Sequence, residues 1–248
     1  MSRGGQLLAI GGVSTQRRPC RRVPSRASPA RSTGMSPMSN CSVLRRLLSV
    51  FALAGAFAAG SAGAAQSADG YVAIDPPHAT ATGERVEVLE FFQYGCPHCR
   101  AMEPLVEAWQ DKQQDDVALQ RVPVAFNAAM EPWQRLYYTL EGLDKLELQQ
   151  AVFSAVQTER NPLNSRERVI DWAAKQGLDK DKFAAMYDSF GVGTKVNRAN
   201  QLIKSYSLQS VPTLVVDGRY MTSPALANGY QESLDKVDEL IAKARSAR

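Results

Sequence analysis

The sequence predicts an α/β protein in which an all-helical segment interrupts the sheet-forming part of the chain. Apolar strand patterns lie at 86–92 and 117–124, before a long region of helical periodicity, and return after it at 213–216 and 219–221. The first of these strands runs directly into a glycine turn and the start of a helix. The expected order is therefore an edge strand and a central strand, a helix, a strand, a helical block, a hairpin and a terminal helix.

Residues 1–64 are expected to be a signal peptide preceded by a basic leader, both removed during export. They contain nine arginines, no lysine and no acidic residue. Arg45 and Arg46 precede an apolar run at 47–60, and small residues follow at 61–64, which is the pattern of a secretory signal peptide. The apolar run is short and rich in alanine and glycine, which disfavours a membrane span.

Removal of this leader reverses the net charge. The full chain has 29 basic and 25 acidic residues and a pI near 8.9. From residue 65 onward, 20 basic residues stand against 25 acidic ones, a net charge of −5. The basic pI is thus a property of the leader, and no nucleic-acid partner is expected.

The stretch Gly95-Cys-Pro-His-Cys99 indicates a redox-active pair of cysteines, the only two after the leader. Pro97 suits the first position of a helix, because that position needs no backbone N–H. Cys96 would then lie just before the helix, where free N–H groups and the helix dipole favour a thiolate. Cys99 is close enough in the same turn to form a disulfide with Cys96. His98 supplies a second donor or cation beside the sulfur.

Two structural interpretations of the cysteine pair remain open. A zinc site needs four ligands, and the chain offers only Cys20, Cys41, His78 and His98 besides the pair. The first two lie in the leader, and His78 is expected in an exposed loop, so no metal site is expected. A purely structural bridge over so short a loop would constrain little of the unfolded chain.

Three charged residues are candidates for proton transfer. Along the strand 86–92, alternation places Glu90 on the same face as apolar side chains, where burial would raise the pKa of its carboxyl. A proton relay serving Cys99 is the functional interpretation, and a surface glutamate at a bulge or edge is the alternative. Glu103 is either a solvated charge or a second proton-transfer partner. Arg121 is available as their counter-charge.

The remaining chain divides by its patterns. Residues 65–85 are expected to form a linker with a short edge strand, and 86–126 the first part of the sheet domain. A helical insertion is expected at 127–208. The second part of the sheet domain, 209–248, begins with a hairpin turned by Asp217-Gly218 and ends in an amphipathic helix.

Within the insertion, helix boundaries are predicted from capping residues. Asp179 is expected to cap a helix whose apolar stripe includes Phe183, Met186 and Phe190. The next helix is expected to follow Gly191 and Gly193. These stripes indicate core packing and no cofactor.

Together, several segments resemble the DsbA family of periplasmic thiol oxidases. They are Glu90-Phe91-Phe92, Gly95 to Cys99, Val211-Pro212-Thr213 and Asp217-Gly218. The likeness covers residues 85–248. It implies a thioredoxin-like fold with an inserted all-helical domain.

The resemblance also implies roles for individual residues. Cys96 would be the nucleophile, Cys99 its disulfide partner and His98 the chief stabiliser of the thiolate. Pro212 would be cis and face the disulfide, and the backbone of Val211 would pair with a substrate chain.

Further residues can be placed by the same likeness. Glu90, Glu103 and Arg121 fall where the family has two acidic groups and one basic group near the buried cysteine. Arg100 departs from the family, in which an aromatic residue is common after the second cysteine. Arg100 therefore adds a positive charge beside the site.

The function implied is a periplasmic thiol:disulfide oxidoreductase that donates its Cys96–Cys99 disulfide to newly exported proteins. It would need no cofactor beyond this disulfide, act as a monomer, and be reoxidised by a DsbB-like membrane quinone reductase. Two alternatives are a thiol reductase or disulfide isomerase on the same fold, and a non-catalytic periplasmic holdase or assembly factor.

Overall fold

A five-stranded mixed sheet forms the centre of the computed structural model, which describes residues 69–248. The expected signal peptide and leader, 1–64, lie outside the described residues. The strand order is β1-β5-β4-β2-β3. The strands are β1 (Tyr71–Ala73), β2 (Val86–Phe92), β3 (Val117–Pro123), β4 (Thr213–Val216) and β5 (Tyr220–Thr222).

The strand β2 lies between two partners of opposite direction. It pairs in parallel with β3 and antiparallel with β4, where Leu89 lies opposite Val215. All seven residues of β2 are buried, because both faces of this strand are covered, which explains its nearly continuous apolar sequence.

Eight α-helices surround this sheet in the described part of the chain, and five of them lie between β3 and β4 in sequence. Short 3₁₀ turns, 128–130 and 146–148, precede the first two of those five. The helices are α1 (Pro97–Gln110), α2 (Glu131–Gly142), α3 (Gln149–Gln157), α4 (Arg166–Lys175), α5 (Lys180–Tyr187), α6 (Phe190–Ser205), α7 (Pro224–Ala227) and α8 (Tyr230–Ser246).

Two apolar clusters cover the two faces of the sheet. Val86 and Val88 belong to the cluster that includes side chains of α1 and the terminal helix α8. Leu89 and Phe91, which point the other way along the same strand, belong to the cluster formed with the helical insertion. The helix α1 contributes to both clusters, since Cys99 lies in the insertion's cluster and Met102 in the other.

The order of elements agrees with the prediction, but one helix boundary does not. Asp179 caps α5 as expected, and α5 ends at Tyr187. Phe190 is not part of its apolar stripe; it begins α6 and is 90% exposed. The reason is a serine cap, since the hydroxyl of Ser189 accepts the N–H of Val192 and starts the helix before the two glycines.

The environment of His78 also differs from the expectation of an exposed loop. Its ring packs against Tyr206, with ring centroids 4.4 Å apart, and its side chain is half-buried. Its backbone N–H donates to the carbonyl of Gly218 at 3.0 Å. A Cβ at Gly218 would lie 2.2 Å from the His78 oxygen, so this close approach requires a glycine there.

No helix within residues 69–248 is long and apolar enough to cross a bilayer.

Candidate active site

Cys96 caps the N-terminus of α1. Its backbone is extended (φ −91°, ψ 116°), and its sulfur accepts the N–H of Cys99 at 3.4 Å. Pro97 occupies the first helical turn, as predicted, since its ring fixes a helical φ where no N–H is needed. The sequence therefore places the sulfur of Cys96 at the free N–H groups of the helix.

The two cysteines are free thiols with opposite environments. Cys96 is partly exposed, whereas Cys99 is 1% exposed. The pKa of Cys96 is lowered to about 6, chiefly by a hydrogen bond from the Cys99 thiol, while burial opposes this shift. The pKa of Cys99 is raised far above its ordinary range by the same hydrogen bond and by burial. The proton of the pair is thus held on the buried sulfur.

The resemblance implies that His98 is the chief stabiliser of the thiolate, whereas the Cys99 thiol lowers the pKa of Cys96 more than His98 does. Its backbone N–H and its charge contribute less to the lowered pKa of Cys96 than the Cys99 thiol does. The ring is exposed, and its Nδ1 lies 2.7 Å from the hydroxyl of Tyr230 on α8. The hydrogen bond to Tyr230 directs the imidazole toward α8.

The peptide bond between Val211 and Pro212 is cis, in agreement with the expectation. The carbonyl oxygen of Val211 lies 3.4 Å from the sulfur of Cys96 and accepts its hydrogen bond when that sulfur is protonated. Beside them lies a cavity of about 410 Å³ whose walls include Val211, Pro212, His98 and Tyr230. The nucleophile, the cis-proline loop and an open cavity therefore meet at one place.

Glu90, Glu103 and Arg121 form a buried charged cluster. Arg121 contacts Glu103 with Nη1 and Oε1 2.6 Å apart, and Glu90 with Nε and Oε2 3.2 Å apart. The second contact lies outside hydrogen-bonding geometry, so both Glu90 oxygens lack a hydrogen-bond partner in the described chain. The interpretation of Glu90 as a surface residue is therefore wrong, and so is that of Glu103 as a solvated charge, since both are at most 1% exposed.

Burial dominates the protonation of these carboxyls. It raises the pKa of Glu90 to about 7, although the charge of Arg121 lowers it. Burial likewise raises the pKa of Glu103. The charge of Glu90 in turn raises the pKa of Cys99, which indicates that the carboxylate and the buried thiol are near each other.

Gln157, at the end of α3, is a site residue that the sequence did not reveal. Its side-chain amide donates to the backbone carbonyl of Tyr94 at 2.7 Å and to that of Cys96 at 3.1 Å. No periodicity or local motif marks this glutamine, because the contact arises only when the insertion packs on the active-site turn.

Other residues of the insertion hold the same turn. The hydroxyl of Tyr94 hydrogen-bonds the side chain of Gln149, whose amide in turn lies 3.4 Å from Glu103. A Cβ at Gly95 would lie 3.0 Å from the ring of Trp133, so the glycine allows the indole to pack on the turn. The helical insertion thus supports the backbone that carries the nucleophile.

The chemistry available here is thiol–disulfide exchange. In the part of the chain that the structure describes, no three His, Cys, Asp or Glu side chains are grouped as a metal site requires. A low-pKa sulfur at a helix N-terminus, next to a buried protonated thiol, is the arrangement of a reactive dithiol.

A family profile, curated sequences and a solved structure all match this chain and point to the same family. The profile of the family described as "DSBA-like thioredoxin domain" matches residues 87–235. The chain is 48% identical over 201 residues to "Thiol:disulfide interchange protein DsbA" of Bordetella parapertussis, covering 81% of this chain and 96% of that protein. It is 37% identical to the protein of the same name from Burkholderia cepacia, covering 83% and 100%. The crystal structure of Pseudomonas aeruginosa DsbA matches with a TM-score of 0.69 and 35% identity, covering 72% of this chain and 93% of that chain.

Proposed function

The chain belongs to the DSBA-like thioredoxin domain family and is a thiol:disulfide oxidoreductase, and from that premise we propose that it acts as an oxidase through a Cys96–Cys99 disulfide. The supporting observation is the lowered pKa of Cys96, about 6. A group that stabilises the thiolate stabilises the reduced enzyme, so the disulfide gives up its oxidising equivalent readily.

The reaction proceeds in two exchanges. A substrate thiolate attacks the sulfur of Cys96, the Cys96–Cys99 bond breaks, and the Cys99 sulfur leaves and takes up a proton. A second substrate thiolate then attacks the substrate sulfur of the mixed disulfide and releases Cys96 as a thiolate. The substrate loses two electrons to the enzyme and gains one disulfide.

Glu90 is proposed to exchange a proton with Cys99. Its pKa of about 7 allows both protonation states near neutral pH. Arg121 and Glu103 would keep the remaining charge of this buried cluster constant while the Glu90 carboxyl gains and loses a proton. No dissociable cofactor enters these steps.

Substrate binding is proposed at the cis-proline loop. The backbone of Val211 would pair with an extended substrate chain, and Pro212 would present the loop toward the sulfur. The adjoining cavity of about 410 Å³ would take substrate side chains. In the reduced enzyme the Val211 carbonyl oxygen lies 3.4 Å from the Cys96 sulfur, so a substrate chain that pairs with Val211 would come close to this sulfur.

The cellular setting is proposed from the leader and the family together. Newly exported, folding proteins would be the substrates, and the periplasm the compartment. A DsbB-like membrane quinone reductase would regenerate the disulfide, and the enzyme would act as a monomer.

The proposal is tested with the purified mature protein and a reduced two-cysteine peptide. We expect the oxidised enzyme to convert the peptide to its disulfide and C96S to be inactive. Equilibration with glutathione separates an oxidase from a reductase, since an oxidase remains largely reduced in a mixed glutathione buffer. A holdase would instead retain its effect in cells when Cys96 is replaced by serine.

A further inference from the structure

A second cavity borders the active site, between α1 and α3. Its volume is about 600 Å³ and it opens widely to solvent. Pro97, Ala101 and Pro104 of α1 form its apolar floor, and Gln157 of α3 forms part of its wall. It therefore begins beside the helix turn that carries Cys96.

This groove and the cis-proline cavity lie on different faces of α1. Successive residues of a helix are about 100° apart around its axis. His98 lines the cis-proline cavity, and the α1 residues that line the groove lie about 60° to 180° from His98 around the helix axis, so the two cavities lie on different faces of α1. Cys96, at the tip of the helix, stands between them.

Arg100 places a positive charge in the groove without a carboxylate partner among residues 69–248. Its guanidinium donates one hydrogen bond, from Nη1 to the hydroxyl of Thr158 at 2.6 Å, and forms none of the ion pairs found in this part of the protein. A guanidinium has five N–H donors in a fork that fits a carboxylate. Four of these donors are left for a ligand that approaches through solvent.

We propose that this groove is a second substrate-binding surface, in which Arg100 selects polypeptides with an acidic side chain near the reacting cysteine. An extended substrate that crosses Cys96 would occupy the cis-proline cavity on one side and this groove on the other. The apolar floor fits an extended chain, and the unpaired cation fits a carboxylate. The inference rests on the proposed thiol oxidase function and specifies the substrate class of that site.

The far end of the groove refines this prediction. Glu107 also lines the groove, on the same face of α1 and about two turns beyond Arg100. Seven helical residues span about 10 Å, which an extended chain covers in about three residues. A substrate with a lysine about three positions beyond the acidic residue would therefore place opposite charges at both ends of the groove.

The test compares rates of oxidation of three reduced two-cysteine peptides by the full mature enzyme. They differ only at two positions, three residues apart, in the segment that flanks one cysteine. The acidic-first peptide has Asp and then Lys at these positions, the neutral peptide has two serines, and the basic-first peptide has Lys and then Asp. Each flank is placed both before and after the cysteine. For an exposed ion pair we expect kcat/KM to be about 1.5- to 5-fold higher for the acidic-first peptide than for the neutral one. The preference should shrink at high salt.

Substitution of the arginine provides the decisive comparison. R100E should reverse the ratio of the acidic-first to the basic-first rate, and R100Q should bring it near one. R168E changes the same charge at an exposed position on α4, outside the groove, and should keep the ratio of the unmodified enzyme. Thermal unfolding of each variant reports whether it is folded.

Failure of the inference and failure of the function are separate outcomes. If the unmodified enzyme oxidises all three peptides at equal rates, or if R100E keeps the original ratio, the groove has no role in selection. If it oxidises none of them, including the neutral peptide, the oxidase function itself is wrong.

Discussion

The side-chain amide of Gln157 holds the backbone carbonyl of Cys96 at 3.1 Å, so a residue of the helical insertion fixes the position of the nucleophile. The same amide holds the carbonyl of Tyr94. The insertion therefore helps to hold the backbone of the active-site turn in place.

Q157L removes both hydrogen bonds while keeping the volume of the side chain. We expect the pKa of Cys96 to rise from about 6 toward its ordinary value, because the turn no longer holds the sulfur against the helix N–H groups. The two lost hydrogen bonds should cost about 1–3 kcal/mol of stability. The pKa is measured by the ultraviolet absorbance of the thiolate. Q150L, at an exposed position on the same helix, is the control. If Cys96 has the same pKa in Q157L as in the unmodified protein, the two hydrogen bonds of Gln157 do not affect the thiolate.

A second prediction ranks the groups that stabilise the Cys96 thiolate. C99A should raise the pKa of Cys96 more than H98A does, because the Cys99 thiol makes the largest contribution and the charge of His98 the smallest of those identified. Thiolate absorbance of both variants measures this order. The reverse order would restore the histidine as the chief stabiliser.

The features of the active site that depend on neighbouring residues could be predicted from the sequence. Local chemistry identified Cys96 as a helix cap and Pro97 as a helix start, because both features depend only on neighbouring residues. The alternation of side chains along the strand correctly predicted that Glu90 is buried. Each of these inferences uses a period or a cap that the sequence itself displays.

The partners that modulate the site could not be found in this way. Gln157 and Tyr230 reach the active site from elements far away in the sequence, and their side chains follow no pattern that predicts the contact. The contact between the ring of His98 and Tyr230 likewise joins residues that are far apart in the sequence. Tertiary docking decides these features.

The pH dependence of stability should differ between the two redox forms. The folded-state pKa of Cys96, about 6, lies below the ordinary value of 9.0, so the thiolate contributes stability that is complete above pH 9 and is lost as the pH falls through 6. The reduced form should therefore gain on the oxidised form between pH 6 and 9, by about 1–2 kcal/mol after allowance for solvent screening of this half-exposed sulfur. Urea unfolding of both forms across this range measures the gain. A constant difference would mean that the sulfur ionises like an ordinary thiol.

R121L should be strongly destabilising, and more so at high pH. It leaves the carboxyls of Glu90 and Glu103 buried without their counter-charge, which costs about 3–5 kcal/mol when they are ionised. The folded-state pKa of Glu90, about 7, lies above its ordinary value of 4.5, so the stability it contributes falls as the pH rises through that window, and loss of Arg121 extends the fall to higher pH.

Unfolding at pH 5 and pH 8 in the oxidised form, in which Cys96 does not titrate, measures this loss. R121K keeps the positive charge and should lose less at both values. If R121L lowers the free energy of unfolding by the same amount at pH 5 and at pH 8, relative to the unmodified protein, the two carboxyls do not ionise between these pH values.

The pairing of Leu89 with Val215 also has a consequence for the order in which the chain can fold during its synthesis. The strand that bears the catalytic turn cannot complete its antiparallel side until the whole insertion and β4 have been synthesised. Because closing so long a loop is slow compared with forming helices, the nascent chain would carry a helical insertion well before it has a working active site. A chain arrested before Thr213 would thus have its two cysteines and still be unable to oxidise a neighbour.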